Sequence, residues 1–239
     1  MRAKDFITEL DPGFVNREIT KQNDPTKPKS QAVWKHKGTG ATASVWEHFS
    51  DPNTVIKVVG GGEYEARHTE RDVTLAFVHF CVDHGYQSKH FPIIHGMNID
   101  DEEVLQIKIE KLIECSNDGL LRACAQMASN IRYNNTKNFN AYRNNLIKAL
   151  KTNARIAQNN KADDIIAAIQ LLNRAIPVYK EAHDIDRMWL DLHMGNWLLR
   201  SDGVIIAADP WYGESDSYDD GSWHNSYGDS DNDSGSRSF

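Results

Sequence analysis

The sequence predicts an α+β fold, with strands in the first half, helices in the second and an acidic tail after them. Three observations carry this. Residues 31 to 112 hold short β-branched and aromatic runs broken by Gly, Pro and Asp signals, the pattern of strands and turns. From Asp118 to His183 the apolar residues fall at helical spacing. After Trp211 the composition becomes Ser-rich and acidic, with few aliphatic residues to bury.

Taken in order, residues 1 to 30 are polar, contain Pro12, Pro25 and Pro28, and read as an irregular arm with at most a short helix. Gly38-Thr-Gly-Ala-Thr-Ala-Ser-Val45 forms a glycine turn that runs into Ser44-Val-Trp-Glu-His-Phe49, a strand by composition. Asp51-Pro-Asn53 signals a turn, and Thr54-Val-Ile-Lys-Val-Val59 is the next strand. Val73, Leu75, Ala76, Phe77 and Phe80 give an imperfect helical spacing within a helix over about 64 to 82. Phe91-Pro-Ile-Ile94 is extended, and Ile93 to Ile99 and Val104 to Ile109 form a strand pair around the acidic turn 100 to 103. In the helical half, Leu146, Leu150 and Ala154 belong to one segment, and Ile165, Ile169, Leu172, Ile176 and Tyr179 to another. The second is the buried helix leading into residues 189 to 199, and Asn130 to Asn145 is a polar helix connection.

Chemistry concentrates in Trp189-Leu-Asp-Leu-His-Met-Gly-Asn-Trp-Leu-Leu199 and in Asp209. Asp191 and Asn196 are five apart, within reach of one tight loop, and the 13 residues from Asn196 to Asp209 allow a hairpin that returns a second acid. An acid near an attacking hydroxyl, with an amide and an acid on Mg2+, is how phosphoryl transfer builds a nucleotide site. Alone, D-x-x-x-x-N is a common turn pairing. It gains weight from the upstream G-x-G-x-x-G-x-V pattern, met at Gly38, Gly40 and Val45 with Ala43 at the third glycine. Glycines serve there because backbone must approach phosphate oxygens closely. A dinucleotide fingerprint would need a helix after the turn, whereas this segment reads as strand. Lys57 sits inside a β-branched run, where a charge must find a partner; pointing to the solvent face is the bland alternative. Its place one strand after the glycine hairpin suits a phosphate-binding lysine, with Glu70 as its helix partner and Glu63 and Glu65 as loop charges.

The joint order Ser44-Val-Trp, Val55-Ile-Lys-Val58, Asp191-Leu-His-x-Gly-Asn196 and Ala208-Asp-Pro210 resembles the early serine/threonine protein kinases of short-tailed enterobacterial phages, over about residues 34 to 212. The resemblance implies a two-lobed kinase-like fold: an arm (1–30), a β-rich N-lobe (31–112), a reduced helical C-lobe (113–212) and a disordered or loosely docked tail (213–239). It also implies ATP and Mg2+ as cofactors and host proteins as substrates. Asp191 is then the catalytic base or orienter, Asn196 and Asp209 hold Mg2+, Lys57 holds phosphates, and Glu110-Lys-Leu112 receives adenine through its backbone, unless it is an ordinary strand end. His193 replaces a lysine and either hydrogen-bonds the γ-phosphate or is a packed structural histidine. Trp189 and Leu190 replace the His and Arg of H-R-D, so no arginine awaits an activating phosphate. Pro210 and Trp211 replace Phe and Gly, which removes the usual Phe flip.

Composition sets limits on the alternatives. Residues 213 to 239 carry seven acids against Arg237 alone, −6 of the chain's −7, so the nearly neutral body has no charge footprint for nucleic acid. No apolar run approaches the roughly 20 residues of a membrane helix, and the start lacks a signal-peptide core, which predicts a cytoplasmic protein, in the host cell if phage-encoded. Cys81, Cys115 and Cys124 lack metal-ligand spacing and read as reduced, partly buried thiols. The tail serines Ser215, Ser217, Ser230 and Ser234 are candidate autophosphorylation sites, with a solubilising tail as the alternative. Two other functions stay open: a small-molecule phosphotransferase of the aminoglycoside or choline kinase kind, which shares D-L-H-x-G-N, and a catalytically inactive module that inhibits a host factor.

Overall fold

In a computed structural model of the chain, residues 34–39, 43–48, 51–59, 66–99 and 104–214 are described. Within them the predicted mixed α+β class is the one observed. The strands β1 (Trp34–Thr39), β2 (Ala43–His48), β3 (Asp51–Val59), β4 (Ile94–Ile99) and β5 (Leu105–Glu110) form one antiparallel sheet in the order β1-β2-β3-β5-β4. Helix α1 (Ala66–His84) connects β3 to β4.

The imperfect periodicity of α1 has a physical cause, because the helix is buried on two sides. Val78 packs with Val59, Leu105 and Ile107 of the sheet, and Val73, Ala76, Phe77, Phe80 and Cys81 enter a larger core with the helices. A helix covered on two sides cannot show one clean apolar stripe.

The helical half comprises α2 (Asp118–Arg132), α3 (Phe139–Lys151), α4 (Ala154–Asn159) and α5 (Ala162–Ala182). Asn117 caps α2 by accepting from the Leu120 N–H at 3.0 Å. Ile165, Ile169, Leu172 and Tyr179 are buried along α5, as their spacing predicts. Leu146 and Leu150 are buried in α3, but Ala154 begins a separate helix, since Asn153 accepts from the Ile156 N–H at 3.3 Å and starts a new N-terminus. The turn expected at Asp51-Pro-Asn53 is also displaced. These residues already belong to β3, where Asp51 stands opposite His48 after a register shift and accepts from Thr54 Oγ1 at 2.6 Å. Pro52 is tolerated near the start of a strand, where a missing N–H costs least.

Short strands finish the described chain: β6 (Ile113–Glu114), β7 (Arg187–Leu190), β8 (Trp197–Leu199), β9 (Ile205–Ala207) and β10 (Trp211–Glu214). β6, β8 and β9 form one small sheet, and β10 pairs with β7. The predicted hairpin between Asn196 and Asp209 is thus β8–β9, turned at Gly203, whose φ of +86° favours glycine. Trp211 is buried among Phe77, Phe80 and Tyr179, at ring-centroid distances of 5.6, 5.2 and 5.7 Å. All three cysteines are buried. Among the described residues no helix is long and apolar enough to cross a membrane. The arm 1–30, Gly40, Glu63, Glu65 and the serines 215, 217, 230 and 234 lie outside the described residues.

Candidate functional site

The sheet first aligns its predicted residues. Gly38 stands opposite Val45, Val45 opposite Lys57, and Lys57 opposite Ile107, one row across β1, β2, β3 and β5. Directly opposed residues share a face, so Val45 and Lys57 project together. Lys57 Nζ leaves this row to donate to Asp209 Oδ2 at 2.9 Å, joining positions 152 residues apart. With its side chain 18% exposed, Lys57 is not on an open solvent face.

Three short segments then meet around Asp209. The Asn196 side-chain amide donates to the Asp191 carbonyl at 2.6 Å. The Ala208 N–H donates to the Asn196 carbonyl at 2.9 Å, and the Asp191 N–H to the Pro210 carbonyl at 2.7 Å. Asp209 is therefore bracketed, one neighbour tied to Asn196 and the other to Asp191. Pro210 suits its place, because it accepts there and its fixed φ stiffens the bracket. The nitrogen of the Asn196 amide is committed, which leaves the oxygen as its ligand atom for a cation.

His193 lies beside this bracket. Its Nδ1 accepts from the Gly195 N–H at 3.1 Å, so in the neutral ring the proton sits on Nε2, 3.9 Å from Asp191 Oδ2. The side chain is 62% exposed, which rules out a packed structural histidine. The approach is close, since a β-carbon at Gly195 would stand 3.0 Å from His193 Cε1 and the ring would have to give way slightly.

The surroundings of two further expected residues are also defined. Glu70 is half-buried on α1, and the ammonium of Lys57 donates to Asp209. At Glu110-Lys-Leu112, the Glu110 N–H donates to the Ile93 carbonyl at 3.0 Å and the Lys111 N–H to the Asn53 carbonyl at 2.7 Å. The Glu110 carboxylate is held by Arg200 and by the Ile93 N–H, so its side chain is structural, and with the N–H groups of residues 110 and 111 committed the donor to a base narrows to the Leu112 N–H.

Sequence reasoning missed Arg132 and Arg200. Arg132, in the last turn of α2, donates to the Leu190 carbonyl at 3.2 Å and lies over the rings of Trp189 and Tyr133, so it supports the loop holding Asp191. Trp189, which stands where the His of H-R-D would be, packs on Tyr212 at 5.0 Å. Neither arginine carries a local motif, because its partners are 58 and 90 residues away.

The described residues contain no group of three or more His, Cys, Asp or Glu that would cage a metal. One or two carboxylates with nucleotide phosphates suffice for Mg2+, however, and Asp209 with Asn196 fits that smaller donor set. Comparison with protein families and with curated proteins finds no match for the chain.

Proposed function

We propose that the protein is an ATP-dependent serine/threonine protein kinase of the phage-encoded type that its motifs resemble. In this reading the five-stranded sheet with α1 is the small lobe of a kinase-like fold, and α2 to α5 with the short strands are a reduced larger lobe. The observation that carries it is the meeting of Lys57, Asp191, Asn196 and Asp209 from three separate segments, with Asp209 bonded to Lys57 and bracketed by the other two. A fortuitous D-x-x-x-x-N turn has no reason to recruit a strand lysine 152 residues from its second acid.

The roles follow from charge and position. Mg-ATP, when bound, supplies the phosphoryl group and the divalent charge that screens its oxygens. Lys57 holds phosphate oxygens, and Asn196 and Asp209 hold the cation. Until those ligands arrive, Lys57 and Asp209 neutralise each other. Asp191 orients a substrate hydroxyl and accepts its proton, and exposed His193 donates from Nε2 toward the transferred group. Leu112 presents its backbone to the base. The segment after Asp209 is strand and core, which supports activity independent of an activating phosphate.

Transfer of label from γ-labelled ATP to whole-cell protein tests this, with Lys57→Ala and Asp209→Ala as controls. Protein labelling abolished by both substitutions is the expected result. Label on a metabolite points to a small-molecule phosphotransferase, and no label at all to an inactive binding module. The tail serines are proposed self-acceptors. Mass spectrometry after incubation with Mg-ATP should find phosphate at Ser215, Ser217, Ser230 or Ser234 in the wild type and none in Asp191→Ala.

A further inference from the structure

Arg200 follows β8 directly and gathers three parts of the chain. Its Nε donates to Glu110 Oε2 at 2.5 Å and its Nη2 to Glu110 Oε1 at 2.7 Å, a two-point grip on one carboxylate. Nη1 donates to the Lys89 carbonyl and Nη2 to the Phe91 carbonyl, both at 3.1 Å, and Glu110 Oε1 also accepts from the Ile93 N–H at 2.9 Å. Burying charges is costly, and apolar residues often stabilise a protein as well, so added stability is a weak reason for such a pair. What a planar fork with its acceptors satisfied delivers is fixed geometry.

The geometry it fixes belongs to the site. β8 begins directly after Asn196, and β9 ends two residues before Asp209, so the hairpin carries both at its base. On the other side, Glu110 ends β5, whose ladder with β3 places Thr54 opposite Glu110 and Lys57 opposite Ile107. A continuous route of paired strands and bonds thus runs from Lys57 through Glu110 and Arg200 to Asn196, separate from the Lys57–Asp209 contact. A bound nucleotide must take over that contact, and the two halves then need another tie.

We propose that Arg200 is a positioning residue: through Glu110 it holds the hairpin bearing Asn196 and Asp209 at a set distance from the strand bearing Lys57 while nucleotide occupies the site. This rests on the nucleotide-binding reading above. Arg200→Lys keeps the charge and loses the fork, and Glu110→Gln keeps the shape and loses the carboxylate. Calorimetric titration of the full chain with a non-hydrolysable ATP analogue, with and without Mg2+, measures the effect. Loss of an outer support typically weakens metal binding 10- to 100-fold, so both variants should bind the Mg2+-loaded analogue about tenfold more weakly. Binding without Mg2+ should stay within about twofold, since the phosphate-binding side is unaltered.

Variants that keep the full gain from Mg2+ would overturn the assignment. So would equal losses with and without the metal, which is what general loosening produces. Should Arg200→Lys fail to fold, the milder Glu110→Gln gives the same answer. A wild-type protein that binds no analogue overturns the nucleotide reading and this inference with it, whereas wild-type binding with unchanged variants overturns this inference alone.

Discussion

Two ion pairs join the five-stranded sheet to the β8–β9 hairpin, and their surroundings differ. Lys57–Asp209 is a single contact of 2.9 Å whose acid is 40% exposed. Glu110–Arg200 has two bonds between its side chains and further bonds to backbone, and the two side chains are only 9% and 16% exposed. A lone pair open to water contributes about 0–1 kcal/mol, because solvent screens it and two long side chains lose freedom. Breaking a buried pair on one side costs about 3–5 kcal/mol, because the remaining charge is stranded. The same attraction therefore makes a replaceable contact at the site and a fixture behind it.

The sharpest way to break this comparison is Asp209→Ala. Phosphoryl transfer should fall by about 10²–10³-fold or more, while the melting temperature changes little. A large drop in melting temperature would mean that the exposed pair is structural. Glu110→Ala should do the reverse to stability. Leaving Arg200 without its carboxylate should cost about 3 kcal/mol, or roughly 6–12 °C in a thermal melt.

A third test concerns how closely the segment after Asp209 is seated. A β-carbon on Gly213 would overlap Val73 Cγ2 of α1, so Gly213→Ala should cost about 1–3 kcal/mol. Adding Val73→Ala should restore part of the loss, measured by denaturant unfolding of single and double variants.

The smallest effect is one of pH. His79 Nδ1 and His183 Nε2 are 3.1 Å apart, a contact in which one ring donates and the other accepts, so it cannot survive with both protonated. Burial holds both below the usual histidine range. Asp83 partly opposes this at His79, while His79 adds to it and Asp72 opposes it at His183. Burial also lowers His90. In the unfolded chain these rings take protons near pH 6.5, and in the fold only at lower pH. Between those values the unfolded state binds more protons, so stability falls as pH drops below about 6.5. Melting curves at successive pH values should show this, with a shallower slope in His183→Gln, His90 keeping its share.

The four residues proposed to do the chemistry were legible because three carry motifs at short range and Lys57 breaks a β-branched run. The hairpin before it and the later strand pair were legible from turn signals at 38 to 45 and 100 to 103, but not the pairing of β3 with β5 that joins them. The fixtures were not. Glu110 was read for its backbone toward a base and Arg200 carries no signal at all, and only the fold brings together residues 90 apart. Glu70 was expected beside Lys57 because it lies early in the helix after β3, but the bond of Lys57 to Asp209 spans 152 residues and leaves no sign at short range. Ala154 continued the apolar spacing of α3, and the Asn153 cap overrode that spacing locally.

β10 carries a consequence for control. Four residue pairs join it to β7, and Trp211 sits in an aromatic nest with α1 and α5. Swinging this segment outward would return to water an indole that buries roughly 150–250 Å2, a loss of about 4–6 kcal/mol before any ladder bond is counted. The outward form would then amount to about one molecule in several thousand. Toggling this strand as a control device would therefore take a ligand or modification that favours the outward form by about as much again.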